Sequence, residues 1–205
     1  MSRFDDSEPK DSAQARRSAA TRRKLIDAAR PLFAEHGYAA VGTEQIVRAA
    51  GVTRGAMYHQ FADKLDLFAA LVEEEEAAAT QRIAEGALAE PGDAHALLHA
   101  GAIAFLDETA DPAVRQLLLI DAPSVLGHAR WRELGLRYGL GLVEALLTQG
   151  METGVLRPAP ARPLAHVLLG ALDEAALMVA GAEDPVATRA DALSVLDLLI
   201  DALRA

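Results

Sequence analysis

The chain has 205 residues, of which 51% are hydrophobic and only 4% aromatic, and its formal net charge is −10. It contains no cysteine, which excludes disulfides and thiol chemistry. We find no apolar run long enough to span a membrane and no signal-peptide core, so we expect a cytoplasmic protein without a membrane partner. Helix-period patterns recur throughout, which predicts an all-α fold of about nine helices.

The charge is distributed unevenly along the chain. Residues 16–62 hold eight Arg or Lys against three Asp or Glu, a balance of +5. Residues 63–205 hold ten against twenty-three, a balance of −13. A basic segment ahead of an acidic one orients a molecule toward phosphate groups, so the asymmetry favours a nucleic-acid partner.

Residues 1–18 are polar, mixed in charge and without periodicity, which predicts a disordered arm. A first helix is predicted from about Ala20 to His36, ended by Gly37. Basic residues cluster at its start, and Arg22 and Arg23 are predicted to contact DNA phosphates or the minor groove. An ordinary solvated helix terminus is the alternative interpretation.

Two short helices joined at a glycine are predicted next. Thr43 suits the N-cap of the first, Gly51 suits the left-handed position after its end, and Thr53 suits the N-cap of the second. This corner is typical of a helix-turn-helix, whose second helix enters the major groove of DNA. The sequence therefore predicts a DNA-reading element over the first sixty residues.

Residues at the start of the second helix are predicted to face base edges, namely Thr53, Arg54, Gly55 and Met57. Burial of Met57 in a hydrophobic staple is the alternative for that residue. Arg54 is the best candidate for reading sequence, because its planar fork can pair with guanine O6 and N7. Gly55 would let the helix lie close to the duplex. Thr43 and Lys64 are predicted to lie at helix N-termini that favour anions.

Over residues 20–67 the chain resembles the TetR family of bacterial transcriptional regulators. Its most specific part is Tyr58-His-Gln-Phe61 followed by Asp63-Lys64; the other matching stretches are Ala28–Tyr38, Thr43–Ala50 and Gly51–Leu67. The resemblance implies that Tyr58 and His59 contact phosphates. It also implies that the two C-terminal helices pair with those of a second chain as a four-helix interface.

A long fourth helix is predicted from Asp63 to about Gly86, with Glu73 to Glu76 on a solvated face. Further helical segments are predicted near 94–109, 112–121, 128–152, 162–181 and 186–204, separated by proline and glycine breaks, one of them at residues 121–123. We therefore predict a helix-turn-helix domain over 19–62 and a ligand-binding and dimerisation domain over 63–205, linked by the fourth helix.

The last two predicted helices are apolar nearly all round, so they are expected to be buried on more than one side. The residues predicted for the dimer interface are Leu168, Leu172, Leu196 and Ile200. A dimer would present two DNA-reading elements to two half-sites. The alternative is a monomer core that carries the same stripes.

An apolar ligand pocket is predicted in the second domain. The segment 128–152 has three interior glycines, Gly135, Gly139 and Gly141. Each lowers helix stability by roughly 1 kcal/mol relative to alanine. This cost indicates that a helix or a ligand packs closely against the segment. The residues predicted to line the pocket are Phe105, Leu117, Ile120, Trp131, Tyr138 and Met178. Plain core packing is the alternative for each of them.

His95 and His99 have a spacing that suits a metal ion, but no third ligand lies near them in the sequence. We therefore predict no metal and no cofactor. Asp173-Glu174 is taken as a surface pair, and no nucleophile elbow or phosphate loop indicates an enzyme.

The predicted function is a dimeric DNA-binding repressor released from its operator by a small, largely apolar ligand. A helical carrier or enzyme with a vestigial DNA-binding segment is the alternative.

Overall fold

The structure, a computed structural model, describes residues 10–89 and 91–205. The helices are α1 (Lys10–Ala40), α2 (Thr43–Ala49), α3 (Arg54–Gln60), α4 (Lys64–Ala87), α5 (Ala94–Ala110), α6 (Pro112–Val114), a π-helical segment (Arg115–Asp121), α7 (Ala122–Leu126), α8 (His128–Glu152), α9 (Ala161–Gly181) and α10 (Pro185–Asp201). In this part of the chain β structure is limited to one isolated antiparallel bridge, between Leu156 and Arg204. The all-α prediction is confirmed.

The chain forms two compact units, and the division falls inside α4, between Leu71 and Val72. We call the described residues up to Leu71 the head and those from Val72 onward the body. The head continues past residue 62, where the sequence suggested a boundary, because Leu67 and Phe68 of α4 are wholly buried.

The head is built around the inner face of α1, which packs against α2 and α3. An aromatic cluster closes this core: the ring centroids of Phe33, Tyr38 and Phe68 lie 4.9 to 5.6 Å apart. Such pairs add to the free energy gained by burial. The packed core of the head therefore holds α2 and α3 in place.

The start of α1 differs from the sequence prediction of a disordered arm. Residues 10–18 belong to this helix, whereas residues 1–9 lie outside the described part of the chain. Four alanines between positions 13 and 20 favour the helix without an apolar periodic face, the signal on which the prediction relied. Gly37 interrupts the helical path as predicted, with φ 74° and ψ 159°.

In the body, α8 packs against α5 and α9, and α10 packs against α9 and α5. Aspartates at helix starts set the ends of several of these elements. Asp93 accepts a hydrogen bond from the N–H of Ala96 (2.9 Å), and Asp111 and Asp184 cap α6 and α10 in the same way. Each cap satisfies backbone donors that the helix itself leaves unpaired.

The predicted break at residues 121–123 does not occur, because a π-helical segment carries the chain through it. The N–H of Ala122 donates to the carbonyl of Leu117, five residues earlier. Pro123 then lies in the first turn of α7, where a backbone N–H is not needed. Proline alone was therefore a misleading end signal here.

By length and composition α9 is apolar enough to cross a bilayer, contrary to the sequence expectation. A helix that packs on several sides acquires the same composition. α9 contacts α5, α8 and α10, and its Asp173 pairs with Arg132 of α8. These contacts account for part of its apolar character, while Val167 and Met178 stay exposed.

Candidate DNA-contacting surface and ligand cavity

The corner between α2 and α3 has the predicted geometry. Gly51 takes a left-handed conformation with φ 64°, and the N–H of Val52 donates to the carbonyl of Val47 (3.1 Å). Thr53 caps α3, its hydroxyl oxygen accepting from the N–H of Ala56 at 3.1 Å. These local bonds end one helix and start the next within four residues.

Thr43 does not cap α2, contrary to the sequence prediction. The N-cap is Gly42, whose N–H donates to the side-chain oxygen of Gln45 at 2.7 Å. Gln45 thus supplies the reaching-back half of a capping box, a bond for which no side chain is needed at the cap itself. Thr43 becomes the first helical residue and is half-buried.

The start of α3 is open to solvent. Thr53, Arg54 and Gly55 are all exposed, and the Arg54 side chain keeps 63% of its surface accessible. The Arg54 guanidinium lies 5.6 Å from the ring of Tyr58 and 3.9 Å from a carboxylate oxygen of Glu44. The guanidinium is therefore available at this end of the helix, beside an α2 carboxylate that the sequence analysis missed.

The opposite side of α3 holds it to the head. Met57 is wholly buried and Phe61 nearly so, while Tyr58 is 45% exposed and His59 is also exposed. The side chain of Gln60 donates to Ser18 of α1 at 2.9 Å. One face of α3 thus packs and the other stays free, as a DNA-reading helix requires.

The basic cluster at the start of α1 divides into different environments. The Arg22 guanidinium lies 4.4 Å from the ring centroid of Phe61, which fixes it beside α3. Arg23 pairs with Asp27 one turn later, at 3.1 Å. Both arginines are exposed, so both can meet a phosphate from where they lie.

Lys64 lies inside the head more than on its surface. Its ammonium donates to the carbonyls of Tyr38 (2.9 Å) and Val41 (3.0 Å), and lies 3.9 Å from the Tyr38 ring centroid. Burial, and then the charge of Asp63, raise the pKa of that tyrosine. This ammonium therefore ties the start of α4 to the last turn of α1 and to Val41 just after it, a role that the sequence analysis did not foresee.

The body contains a cavity of about 270 Å³. Its walls come from α4, α5, the π-helical segment, α6, α8, α9 and α10, and most of the lining is apolar. Phe105 and Trp131 line it as predicted, and so do Gly135 and Gly139. Gly141, grouped with them on the sequence, has open space where a side chain would stand.

The other four residues predicted for the pocket do not line it. Leu117 is buried elsewhere in the core, and Ile120 and Met178 are 46% and 54% exposed. Tyr138 is half-buried, and its hydroxyl donates to Glu73 at 3.3 Å. Hydrophobic character identified residues of the body, but it did not indicate which neighbour each would face.

A polar patch interrupts the apolar wall, formed by Glu76, Arg132 and Asp173. Arg132 pairs with Asp173 and donates to the carbonyl of His166 at 3.1 Å. Burial raises the pKa of Glu76 to about 7, with a smaller contribution from the charge of Asp173. Burial also raises the pKa of Asp173 to about 6, although Arg132 opposes that shift. Both acids had been assigned to the surface on the sequence.

The four residues predicted for the dimer interface lie at this cavity instead. Leu168, Leu196 and Ile200 are at most 9% exposed within a single chain, and Leu172 also lines the cavity. Leu168, Leu196 and Ile200 belong to the core of their own chain, as in the monomer-core alternative, whereas Leu172 is only half-buried. The exposed apolar side chains of the same two helices are Val167 and Met178 on α9 and Val195, Leu198 and Leu199 on α10.

The structure also places a third potential metal ligand beside the histidine pair, which the sequence did not show. Asp201, at the end of α10, places a carboxylate beside His95 and His99 of α5. The prediction of no metal rested on the missing third ligand, and this juxtaposition removes that reason.

Known families match both units. The family described as bacterial regulatory proteins, tetR family, matches residues 25–71, and the tetracyclin repressor-like C-terminal domain matches residues 95–203. The crystal structure of a TetR-family transcriptional regulator from Pectobacterium atrosepticum is 30% identical, with a TM-score of 0.82, and the match covers 92% of this chain and 96% of that one. The chain therefore belongs to the TetR family of bacterial regulators, a class of DNA-binding proteins of transcription.

Curated relatives match mainly over the head. The transcriptional repressor AcnR of Corynebacterium glutamicum is 39% identical over 70 residues, which are 34% of this chain and 37% of AcnR. The transcriptional regulator AcrR of Shigella flexneri is 36% identical over 99 residues, 48% of this chain and 46% of AcrR. The chain thus spans less than half the length of the curated relatives that it matches.

Proposed function

We propose that this protein is a dimeric repressor in the cytoplasm, whose head binds an operator and which leaves it when a small, largely apolar molecule fills the body cavity. The observation that carries the proposal is the exposed start of α3, with Arg54 free to solvent above a wholly buried Met57. A helix held on one face and open on the other, with its first residues accessible, is suited to the major groove.

Charge supports the same partner. The head segment 16–62 has a balance of +5, in a chain whose net charge is −10. Arg22 and Arg23 of α1 and Tyr58 and His59 of α3 are all exposed. We assign these four residues to backbone phosphates and Arg54 to a base edge, because phosphate contacts position a protein whereas base contacts specify sequence.

The effector site is assigned to the cavity. Phe105, Trp131 and the leucines around them form an apolar wall, while Glu76, Arg132 and Asp173 offer polar contacts at one place. Such a site suits a small apolar molecule with one polar end. Glu76, Ala79 and Thr80 belong to α4, so an occupant would touch the helix that continues into the head. Release requires that the occupant prefer the conformation that does not bind DNA.

The dimer is assigned to the exposed apolar face of α9 and α10, defined by Val167, Met178, Val195, Leu198 and Leu199. These side chains are 44% to 69% exposed in the single chain. Covering them with the same face of a second copy would remove apolar surface from water and bring two heads to two half-sites.

DNA binding is tested with the full chain and fluorescent operator fragments selected from random sequence. Arg54→Ala should weaken binding to the selected site by about 5- to 150-fold, equivalent to roughly 1–3 kcal/mol, and relax the preference at one base per half-site. Log affinity of the wild type should fall linearly with log salt. Arg130→Ala, an exposed arginine of the body, is the matched control and should change neither.

Ligand binding without any salt-dependent DNA binding would reject the repressor and favour the carrier alternative.

The dimer is tested separately by sedimentation of Val195→Glu with Leu198→Glu. This double variant should be monomeric and should lose tight operator binding, since one head makes half the contacts. Val186→Glu, which is 81% exposed at the start of α10, serves as the control. A wild-type chain that sediments as a 21.7 kDa monomer at micromolar concentration would refute the interface.

A further inference from the structure

We propose that His95, His99 and Asp201 form a binding site for one divalent transition-metal ion, with Asp197 as a positioning residue for His99. The site joins α5 to the C-terminal turn of α10, and its ion-binding function is independent of the DNA-binding role of the head. One ligand atom from each of the three residues lies within 4.8 Å of the others.

The separations fit shared coordination. Oδ1 of Asp201 lies 3.0 Å from Nε2 of His95 and 3.1 Å from Nε2 of His99. Two ligand atoms of a tetrahedral zinc ion, each about 2.0–2.2 Å from the metal, lie about 3.3 Å apart. An ion placed among the three atoms therefore needs only small side-chain rotations to reach all of them.

An unpaired nitrogen points into this cluster. Nε2 of His95 is fully buried and has no hydrogen-bond partner, although the carboxylate oxygen of Asp201 is only 3.0 Å away, because the two groups are not aligned for a hydrogen bond. The His95 side chain is only 10% exposed. A buried polar atom without a partner is costly, and a metal bond would satisfy it without requiring hydrogen-bond alignment.

The fourth group completes the arrangement known for metal-binding histidines. Nδ1 of His99 lies 2.6 Å from Oδ1 of Asp197, so this ring nitrogen is engaged by a carboxylate. A carboxylate on one nitrogen fixes the ring and raises the basicity of the other, which is the one that faces the cluster. Asp197 thus orients His99 and does not itself touch the ion.

The donor set indicates the class of ion. Two imidazoles and one carboxylate suit zinc, nickel, cobalt, copper or ferrous iron, whereas calcium and magnesium prefer oxygen ligands alone. With neutral histidines, Asp197 and Asp201 give the cluster two negative charges, which a divalent cation neutralises. Positions beyond the three protein ligands would be left to water.

Occupation of the site would tether α10. The same helix places Leu196 and Ile200 at the cavity and Val195 and Leu198 on its exposed apolar face. A metal bridge from Asp201 to α5 would hold the end of this helix in one position. An ion that binds the folded chain alone also raises its unfolding temperature.

The test uses the full chain without an affinity tag, treated with a chelator and then dialysed. Cobalt is titrated by absorption spectroscopy and zinc by calorimetry. One ion per chain is expected, with cobalt ligand-field bands and a rise in melting temperature on adding zinc. Asp197→Asn should weaken affinity by about 10- to 100-fold, the usual effect of losing an outer-shell partner. His95→Ala, His99→Ala and Asp201→Asn should weaken it further still.

His36→Ala, at an exposed histidine of the head, is the matched control and should bind as the wild type does. Absence of cobalt bands and of a stoichiometric heat in the wild type would overturn the proposal. So would equal zinc-induced stabilisation of wild type and Asp201→Asn, which keeps the shape of the carboxylate. Circular dichroism of each variant separates a lost ligand from a lost fold, and the wild-type titration decides the matter even where a variant does not fold.

Discussion

The head and the body pack differently. Of the twelve largest wholly buried side chains in the described chain, nine lie in the head, among them Phe33, Phe61 and Phe68. The body, with more than twice as many described residues, contributes Leu106, Leu117 and Leu147 and contains a cavity of about 270 Å³. A DNA-reading helix needs a rigid support, whereas a site for a small molecule needs space and some freedom to change.

The difference is also one of charge. On the head, Arg22, Arg23 and Arg54 are exposed at the surface, whereas Lys64 is half-buried. In the body, Glu76 and Asp173 are carboxyls held against a largely apolar wall, and burial raises the pKa of both. Exposed charge suits contact with phosphates in water, and buried titratable groups suit a site that recognises a polar group on an enclosed molecule.

The largest expected effect tests the packing difference directly. Phe33→Ala should lower the free energy of unfolding by about 3–5 kcal/mol, because the ring is wholly buried in the aromatic cluster. Phe105→Ala, at the half-buried cavity wall, should lower it by roughly half as much or less. Urea unfolding followed by circular dichroism measures both. Equal losses would show that the cavity wall is packed as tightly as the head.

The second prediction concerns pH and Glu76. Its folded-state pKa, about 7, lies above its ordinary 4.5, so its contribution to stability is fully present below pH 4.5 and is lost as pH rises through 7. One pKa unit corresponds to about 1.4 kcal/mol, so the loss is at most about 3 kcal/mol. Wild type should lose stability relative to Glu76→Gln between pH 5 and pH 8. Unfolding free energies at the two pH values measure this.

Glu85→Gln is the control for that experiment, since Glu85 is exposed on the same helix. Its stability relative to wild type should stay constant between the two pH values. If Glu76→Gln behaved like this control, the Glu76 carboxyl would be solvated and the contrast between head and body electrostatics would fail.

The third prediction decides between two roles for Lys64. Lys64→Met removes two hydrogen bonds from an ammonium to backbone carbonyls, which should lower stability by about 2 kcal/mol. The salt dependence of DNA binding should stay the same. Lys24→Met, at an exposed lysine of α1, should leave stability nearly unchanged. If Lys64→Met instead lowered the salt slope by about one and left stability unchanged, the result would support the Lys64–phosphate contact predicted from the sequence.

The smallest effect compares two glycines of α8. A Cβ at Gly139 would meet Leu169 at 3.5 Å, an ordinary contact, so Gly139→Ala should stabilise the helix by about 0.5–1 kcal/mol. A Cβ at Gly150 would approach Leu156 and Ala94 within 2.7 Å, so Gly150→Ala should destabilise the chain. Thermal unfolding compares the two variants. If Gly150→Ala stabilised the chain as well, the packing around Gly150 would have adjusted to the added methyl group as readily as the packing at the cavity.

Local features of the fold could be predicted from the sequence by itself. The left-handed Gly51, the Thr53 cap and the Asp63 start of α4 follow from bonds that close within about four residues. The all-α class follows from periodicity, and the head motif is specific enough to indicate the family. Where local reasoning failed, as at Thr43 and Pro123, another local bond competed: the Gln45 side chain in one case and a π-type backbone bond in the other.

Only the tertiary structure decided what each apolar or polar face meets. On α10, Leu196 and Ile200 line a cavity while Leu198 is 69% exposed, although all three fit an apolar helix equally well. His99 and Asp201 stand 102 positions apart, so no local spacing could have joined them. A hydrophobic pattern shows that a helix has an apolar face to be buried. Which residues bury that face depends on how distant helices pack, and their packing is set by contacts between side chains far apart in the chain.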